Sequence, residues 1–125
     1  MASAYYLTLP ETGNRMKLRT RAGHVPGASN TQARITFTAP GEEKRHVIKV
    51  LRWSLDDDPA SAVDITVSDG TNTETFQVTT GGPGFLLMDF HGIINGAVTI
   101  TIPATASITG TLAADGYIEL IPGAA

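Results

Sequence analysis

The stretch from Val63 to Val78, which reads VDITVSDGTNTETFQV, decides the fold class. Apolar Val63, Ile65 and Val67 alternate with polar residues, as in a strand that buries one face and exposes the other. The dipeptide Asp69-Gly70 is typical of a tight turn between two paired strands. Beyond that turn, polar and apolar residues alternate again. This stretch therefore predicts an antiparallel hairpin in a half-buried sheet.

The same period of two recurs on both sides of this hairpin. Strand patterns cover residues 33–38, 46–55, 85–88, 98–102, 109–114 and 117–121. The dipeptides Asn95-Gly96 and Asp115-Gly116 predict two further hairpins, and residues 80–84 predict a Gly-rich loop. No stretch supports a helix of about ten residues. We therefore predict an all-β fold, an antiparallel β-sandwich or jelly roll of about eight short strands.

The longest predicted strand, His46 to Leu55, is apolar on both faces, which indicates a central strand. Strict alternation places Val47, Leu51, Trp53 and Leu55 on one face, and Ile48 and Val50 on the other. Applied to every strand, the alternation predicts the core. Its members are Ile35, Phe37, Val47, Leu51, Trp53, Ile65, Val67, Phe76, Val78, Leu86, Val98, Ile100, Ile108, Leu112, Ile118 and Leu120.

Length and composition exclude several classes of protein and of binding site. The chain has 125 residues, enough for one domain with a real core, and 42% of them are apolar against 17% charged, which excludes intrinsic disorder. There is no cysteine, so a disulfide scaffold and a thiolate metal site are excluded. No apolar run is long enough for a membrane helix, and the N-terminus lacks a secretory signal pattern. We expect a soluble protein made in a cytoplasm, with no membrane partner.

Residues 1–32 differ from the rest in having few large apolar side chains. Four cations alternate with other residues over 14–21, so an extended backbone would place them on one face. We predict an extended N-terminal arm over 1–32 and a β-sandwich over 33–125. The residues predicted to contact a partner are Tyr5, Tyr6, Leu7, Arg15, Lys17, Arg19 and Arg21.

Charge is strongly segregated along the chain. All nine Lys and Arg residues lie between Arg15 and Arg52, and nine of the twelve acids follow Arg52. The basic part either binds an acidic partner or pairs with the acidic part of the same or an identical chain. Direct nucleic-acid binding is disfavoured, because the sequence pI is about 5.5 and no aromatic residue lies between Tyr6 and Phe37.

Candidate catalytic and metal-binding residues are sparse. His91 and Asp89 would share one face of a strand and could serve as an oriented base, but a structural hydrogen bond is the favoured interpretation. Asp56, Asp57, Asp58 and Asp64 offer hard oxygen ligands for calcium, although a salt-bridging or solvated loop fits them better. We predict no cofactor and no enzymatic activity. For carbohydrate binding, which needs exposed aromatic rings, the candidates are Tyr5, Tyr6 and Tyr117.

The combination of features resembles a known class of small virion proteins. The chain lacks cysteine, carries a Gly-punctuated basic arm and a Thr-rich sandwich, and ends in the segment Thr109 to Leu120, TGTLAADGYIEL. It resembles the structural proteins of tailed bacteriophages, particularly the capsid decoration (cement) proteins. The resemblance implies a virion protein that binds the major capsid protein or another virion protein, forms a trimer and stabilises the phage head through its arm.

Three alternatives to capsid decoration follow from the same residues. The first is a carbohydrate- or receptor-binding β-sandwich module, which requires an exposed aromatic or calcium site. The second is a component of the phage tail or neck. The third is a small hydrolase or isomerase that uses His91 and Asp89.

Overall fold

The structure is a computed structural model that describes residues 31–123 in full. Of residues 1–30 it describes only the backbone of three strands, β1 (Leu7–Thr8), β2 (Arg15–Arg21) and β3 (Val25–Pro26). Seven strands follow, and there is no helix among the described residues. They are β4 (Ala33–Phe37), β5 (Lys44–Leu55), β6 (Val63–Ser68), β7 (Thr73–Val78), β8 (Gly82–His91), β9 (Val98–Ile102) and β10 (Gly110–Leu120).

The strands form two antiparallel sheets. In the described part of the chain, a six-stranded sheet has the order β1-β2-β10-β5-β8, with β3 also paired to β10. A four-stranded sheet has the order β4-β9-β6-β7. The predicted all-β antiparallel sandwich is confirmed, with seven strands after residue 32 where about eight were expected.

The hairpin predicted from residues 63–78 is confirmed. Strands β6 and β7 pair antiparallel, with Ile65 opposite Phe76 and Ser68 opposite Thr73. Asp69, at the start of the loop, is only 5% exposed, and its carboxylate accepts hydrogen bonds from the backbone N–H groups of Thr71 and Asn72. Asp69 therefore stabilises the turn through its side chain, in addition to the backbone conformation of the dipeptide.

The hairpin predicted at Asp115-Gly116 is wrong. Residues 110–120 form one continuous strand, because β10 pairs with β5 on one side and with β2 and β3 on the other. At Gly116 the pairing register with β5 shifts by one residue. A Cβ atom on Gly116 would lie 2.0 Å from the carbonyl oxygen of Val47, so glycine permits the close approach of the two backbones at this bulge.

Two further expectations from Gly-containing stretches also need correction. Asn95-Gly96 does not join a hairpin, because β8 belongs to the six-stranded sheet and β9 to the four-stranded sheet. Asn95 instead fixes a crossing loop, since its backbone N–H donates to the carbonyl oxygen of Lys44. The loop predicted over residues 80–84 is shorter, because β8 begins at Gly82.

Most of the predicted core is confirmed between the two sheets, and the error at Val47 and Ile48 traces to the register shift in β5. Ile48 joins the core cluster, whereas fully buried Val47 stands outside it, the reverse of the strict alternation. Ile118, Leu120 and Leu86 are only half-buried. The predicted core also left out members of the cluster, namely Ala33, Ile48, Leu55, Val63, Phe90, Ile102 and Ala114.

The predicted arm contributes strands to its own chain. The stretch Arg15–Arg21 is extended, as predicted, and it pairs antiparallel with β10 of the same molecule. The division into an arm over 1–32 and a sandwich over 33–125 stays a prediction.

Candidate functional site

The outward-facing surface of the six-stranded sheet carries three ion pairs and the two most exposed large apolar side chains. Alternation places residues such as Leu112 and Phe90 in the core, so their neighbours in the chain point away from it. We call this surface the outer face. In the fully described strands it includes Arg45, Val47, Lys49, Val50 and Arg52 of β5, Phe85, Leu87, Asp89 and His91 of β8, and Ala113, Asp115, Tyr117 and Glu119 of β10.

Ion pairs cross the outer face from the central strand β5 to both of its neighbours. Arg45 pairs with Glu119 at 2.7 Å and Arg52 pairs with Asp115, both on β10. Lys49 pairs with Asp89 of β8 at 2.7 Å. Basic residues of the first half thus meet acids of the second half within one chain. For these residues, charge segregation along the sequence serves intrachain pairing, one of the two predicted uses.

The pair Asp89 and His91 forms on one face of β8, as the sequence predicted. His91 Nε2 lies 3.0 Å from Asp89 Oδ1, and the same oxygen accepts a hydrogen bond from Lys49 Nζ. The Lys49 hydrogen bond, followed by that of His91, lowers the pKa of Asp89 below its usual value. The carboxylate therefore stays ionised and orients the imidazole on an open surface, and a catalytic role for the pair remains only an alternative.

The most exposed large apolar side chains also belong to β8. Phe85 is 67% exposed and Leu87 is 72% exposed, while the residues between and beyond them face inward. Phe85 lies opposite Arg52 and Leu87 opposite Val50 in the register with β5. The sequence identified an apolar strand over 85–88 but missed this outward pair, because four successive apolar residues hide the alternation.

A shallow furrow lies next to these residues, between β5 and β10. It has a volume of about 220 Å³ and is lined by Arg52, Trp53, Ser54, Thr111, Leu112 and Ala113. Trp53 is held beneath β8 by Gly84, where a Cβ atom would come within 2.6 Å of the indole ring. Arg52 lines the furrow and lies opposite Phe85, so the furrow is adjacent to the strand that carries the exposed ring.

The predicted aromatic candidates are placed only in part. Tyr117 is half-buried on the outer face, opposite Val47 of β5. Tyr5 and Tyr6 lie outside the described residues. For Leu7, Arg15, Lys17, Arg19 and Arg21 only the backbone is described. The register sets Arg15 opposite Glu119 and Arg21 opposite Asp115, next to acidic positions, and the partner-binding role of all seven residues stays a prediction.

Three of the four aspartates named as calcium candidates accept hydrogen bonds from backbone N–H groups. Asp56 accepts from the N–H of Thr109 at 2.9 Å, Asp57 from the N–H of Asp58, and Asp58 from the N–H of Gly81. Asp64 lies on the four-stranded sheet, opposite Gln77. Within residues 31–123 no group of three or more His, Asp or Glu side chains is arranged to hold a metal ion. These contacts order the 56–58 loop, and calcium binding by the four aspartates stays an alternative.

Comparisons with known proteins bear on the fold. No family model matches the sequence, and no curated protein matches it. Among solved structures, "Family 16 Carbohydrate Binding Module-2" is similar over 74% of this chain and 73% of its own, with 10% identity and a TM-score of 0.50. Two other solved structures are a CBM61 module in complex with β-1,4-galactotriose (18% identity, 76% and 68% covered, TM-score 0.43) and a CBM36 module in complex with calcium and xylotriose (14% identity, 94% and 89% covered, TM-score 0.37). The first likeness shows that the β-sandwich is shared with a carbohydrate-binding module.

The described residues contain no helix that is long and apolar enough to cross a bilayer.

Proposed function

We propose that this protein is a non-catalytic binding module that holds a carbohydrate on the outer face of its six-stranded sheet. The observation that carries the proposal is Phe85, an aromatic ring 67% exposed on the sheet surface and opposite Arg52 in the register with β5. A sugar presents an apolar C–H face to such a ring and hydroxyl groups to the polar side chains around it. A binding surface of this kind combines an apolar platform with a few fixed polar groups.

The polar groups around Phe85 are held in position before any ligand arrives. Arg52 is fixed by Asp115, and Lys49 is fixed by Asp89, which His91 also contacts. Side chains that are already ordered lose little conformational entropy when a ligand binds. Charged donors and acceptors also form stronger hydrogen bonds than neutral groups, which suits hydroxyl recognition. The sandwich fold shared with a carbohydrate-binding module supports the same proposal.

A glycan array followed by titration calorimetry tests the proposal. We expect Phe85→Ala to lower the affinity for the bound glycan at least about tenfold, which corresponds to roughly 1.4 kcal/mol. Tyr117→Ala tests the half-buried ring on the same face. Thr75→Ala, exposed on the four-stranded sheet, is the matched control and should bind like the wild type. Absence of glycan binding by the wild type, or equal binding by Phe85→Ala, would contradict the proposal.

A chelator tests whether the proposed glycan binding depends on calcium. Because the aspartates of the 56–58 loop already accept backbone hydrogen bonds, we expect glycan binding to persist in the presence of EDTA. Loss of binding on chelation, restored by added calcium, would instead assign the site to a calcium-dependent surface.

A second candidate function is assembly into a phage virion, as a decoration, tail or neck component. The exposed Phe85 and Leu87 favour it, because adjacent apolar side chains at a surface suit a protein interface. The sequence hypothesis assigned the contact to the basic residues of 15–21. Replacing all four cations there with glutamine should abolish cosedimentation with tailed-phage capsids while leaving the fold intact by circular dichroism. Unchanged cosedimentation would refute that assignment.

A further inference from the structure

Strand β8 forms one edge of the six-stranded sheet. Its ten residues pair with β5 on one side, and no strand among the described residues pairs with its other side. An edge strand presents alternating unpaired N–H and C=O groups that can pair with another chain. On β8 these groups lie beside Phe85 and Leu87, the two most exposed large apolar side chains.

The other fully described edge strands carry polar side chains that the central part of β8 lacks. Strand β7 exposes Glu74 and Gln77, and strand β4 exposes Arg34. Between Pro83 and Asp89, β8 holds only glycine and apolar residues. Charged side chains on an edge strand prevent unwanted pairing, so their absence from residues 84–88 marks this part of the edge as one that accepts a partner.

We propose that β8 pairs antiparallel with β8 of a second copy of this chain, centred on Leu86. In this register Leu86 faces Leu86 of the second copy. Phe85 faces Leu87 of the second copy, and Leu87 faces Phe85, so that two apolar cross-strand pairs form on the outer face. Directly opposite apolar side chains in an antiparallel pair stabilise it. The contact is isologous and closes as a dimer, in place of the trimer expected from the phage resemblance.

Two features of β8 select this register. Pro83 has no N–H to donate, and at Met88–Asp89 two residues of β8 lie opposite Lys49 alone, a bulge that interrupts regular pairing. Pro83 and Asp89 are each three residues from Leu86, so the apolar stretch between these two residues is symmetric about Leu86. The register also sets Asp89 opposite Pro83 of the second copy and keeps the two Asp89 carboxylates apart.

Sedimentation equilibrium over a concentration series tests the dimer without any ligand, so its outcome is independent of carbohydrate binding. We expect a reversible monomer–dimer equilibrium. Leu87→Lys places a charge opposite the phenylalanine of each copy and should raise the dissociation constant at least about tenfold. Thr75→Lys, at an exposed position on the edge strand β7, should leave the dissociation constant unchanged. A monomer at all concentrations, a trimer, or a dimer unaffected by Leu87→Lys would overturn the proposal.

Cysteine substitution tests the register, since the natural chain contains no cysteine. Phe85→Cys and Leu87→Cys should form a mixed disulfide when combined, because these positions lie directly opposite each other in the proposed dimer. Either variant alone should crosslink much less, since identical positions are then diagonal neighbours and too far apart for a disulfide. Self-crosslinking of one variant at the level of the mixture, or no mixed disulfide, would overturn the register.

Discussion

The Nε2 atom of His46 lies 2.6 Å from the backbone carbonyl oxygen of Thr38. The imidazole is 4% exposed and packs against the ring of Phe37, with ring centroids 5.4 Å apart, and its Nδ1 atom is buried without a partner. A neutral ring that donates from Nε2 fits this site, because Nδ1 then needs no hydrogen. Burial lowers the pKa of His46 below its usual value, and the Thr38 hydrogen bond opposes that effect only in part.

The buried histidine predicts a loss of stability in mild acid. Its pKa is lower in the native state than the value of about 6.5 in an unfolded chain, so the unfolded state binds more protons between the two values. The free energy of unfolding therefore falls as the pH drops below about 6.5. Urea unfolding at a series of pH values between 5 and 8 measures this slope.

Replacement of His46 identifies the source of the slope. We expect His46→Gln to lower the free energy of unfolding at pH 8 by about 1–3 kcal/mol, because it disturbs a buried hydrogen bond. It should also remove most of the pH dependence between 5 and 7. His91→Gln, which removes a histidine of the outer face, is the comparison variant. If His46→Gln kept the wild-type slope, the assignment to His46 would be wrong.

Asp69 joins the β6–β7 hairpin to the loop that crosses between the sheets. One carboxylate oxygen accepts from Asn72 N–H at 2.6 Å, and the other accepts from Ile93 N–H at 2.9 Å. Burial acts to raise the pKa of Asp69, but the hydrogen bonds from Asn72, Thr71 and Ile93 outweigh it, and the pKa lies below its usual value. The ionised carboxylate therefore stabilises the native state above the unfolded pKa of about 3.9.

We expect Asp69→Asn to destabilise the protein by about 1–3 kcal/mol at pH 7, because an amide NH₂ would replace one acceptor oxygen and leave an N–H group without its partner. The difference from the wild type should shrink as the pH falls through the native pKa of Asp69, since the wild-type carboxyl group is then protonated as well. Denaturant unfolding at pH 7 and pH 3 measures both effects. Asp64→Asn on the exposed side of β6 should change the stability little, and an equal loss from both variants would contradict the role given to Asp69.

The regular strands of this fold were predictable from the sequence, whereas its irregularities were not. Val63, Ile65 and Val67 face the core because a period of two holds wherever a strand is uninterrupted. The bulges at Lys49 and Gly116 break that period, and their position depends on how β5 meets its two neighbours. The dipeptide Asp115-Gly116 does not by itself show whether the chain turns there. The same two residues can lie within a continuous strand, where the glycine allows a neighbouring strand to approach closely.

Within the candidate site, only contacts between residues that are close in the sequence could be predicted. Asp89 and His91 are two residues apart, so alternation alone placed them on one face. The pairing of Arg52 with Asp115 depends on the register of β10 against β5, across 63 residues of sequence. Phe85 is one of four successive apolar residues, which hides the alternation, and only the register with β5 sets it opposite Arg52 on the outer face, where its ring lies in solvent.

The close approach of β5 at Gly116 predicts that adding a single methyl group at this position lowers the stability of the fold strongly. A Cβ atom there would lie 2.0 Å from the Val47 carbonyl oxygen and 3.0 Å from the Ile48 Cα atom, both in the backbone of β5. The two strands would have to separate at the centre of the sheet, so we expect Gly116→Ala to lower the free energy of unfolding by about 3 kcal/mol, the upper end for overpacking.

Gly110→Ala on the same strand is the matched control for this prediction. Its Cβ atom would meet only the side-chain methyl groups of Ile102 and Leu55, at 3.2 and 3.3 Å, and side-chain ends can shift by a few tenths of an ångström. We therefore expect a loss of less than about 1 kcal/mol for Gly110→Ala. Urea unfolding of both variants compares the two costs. Equal stability of the two variants would mean that β5 does not approach Gly116 as closely as the pairing register requires.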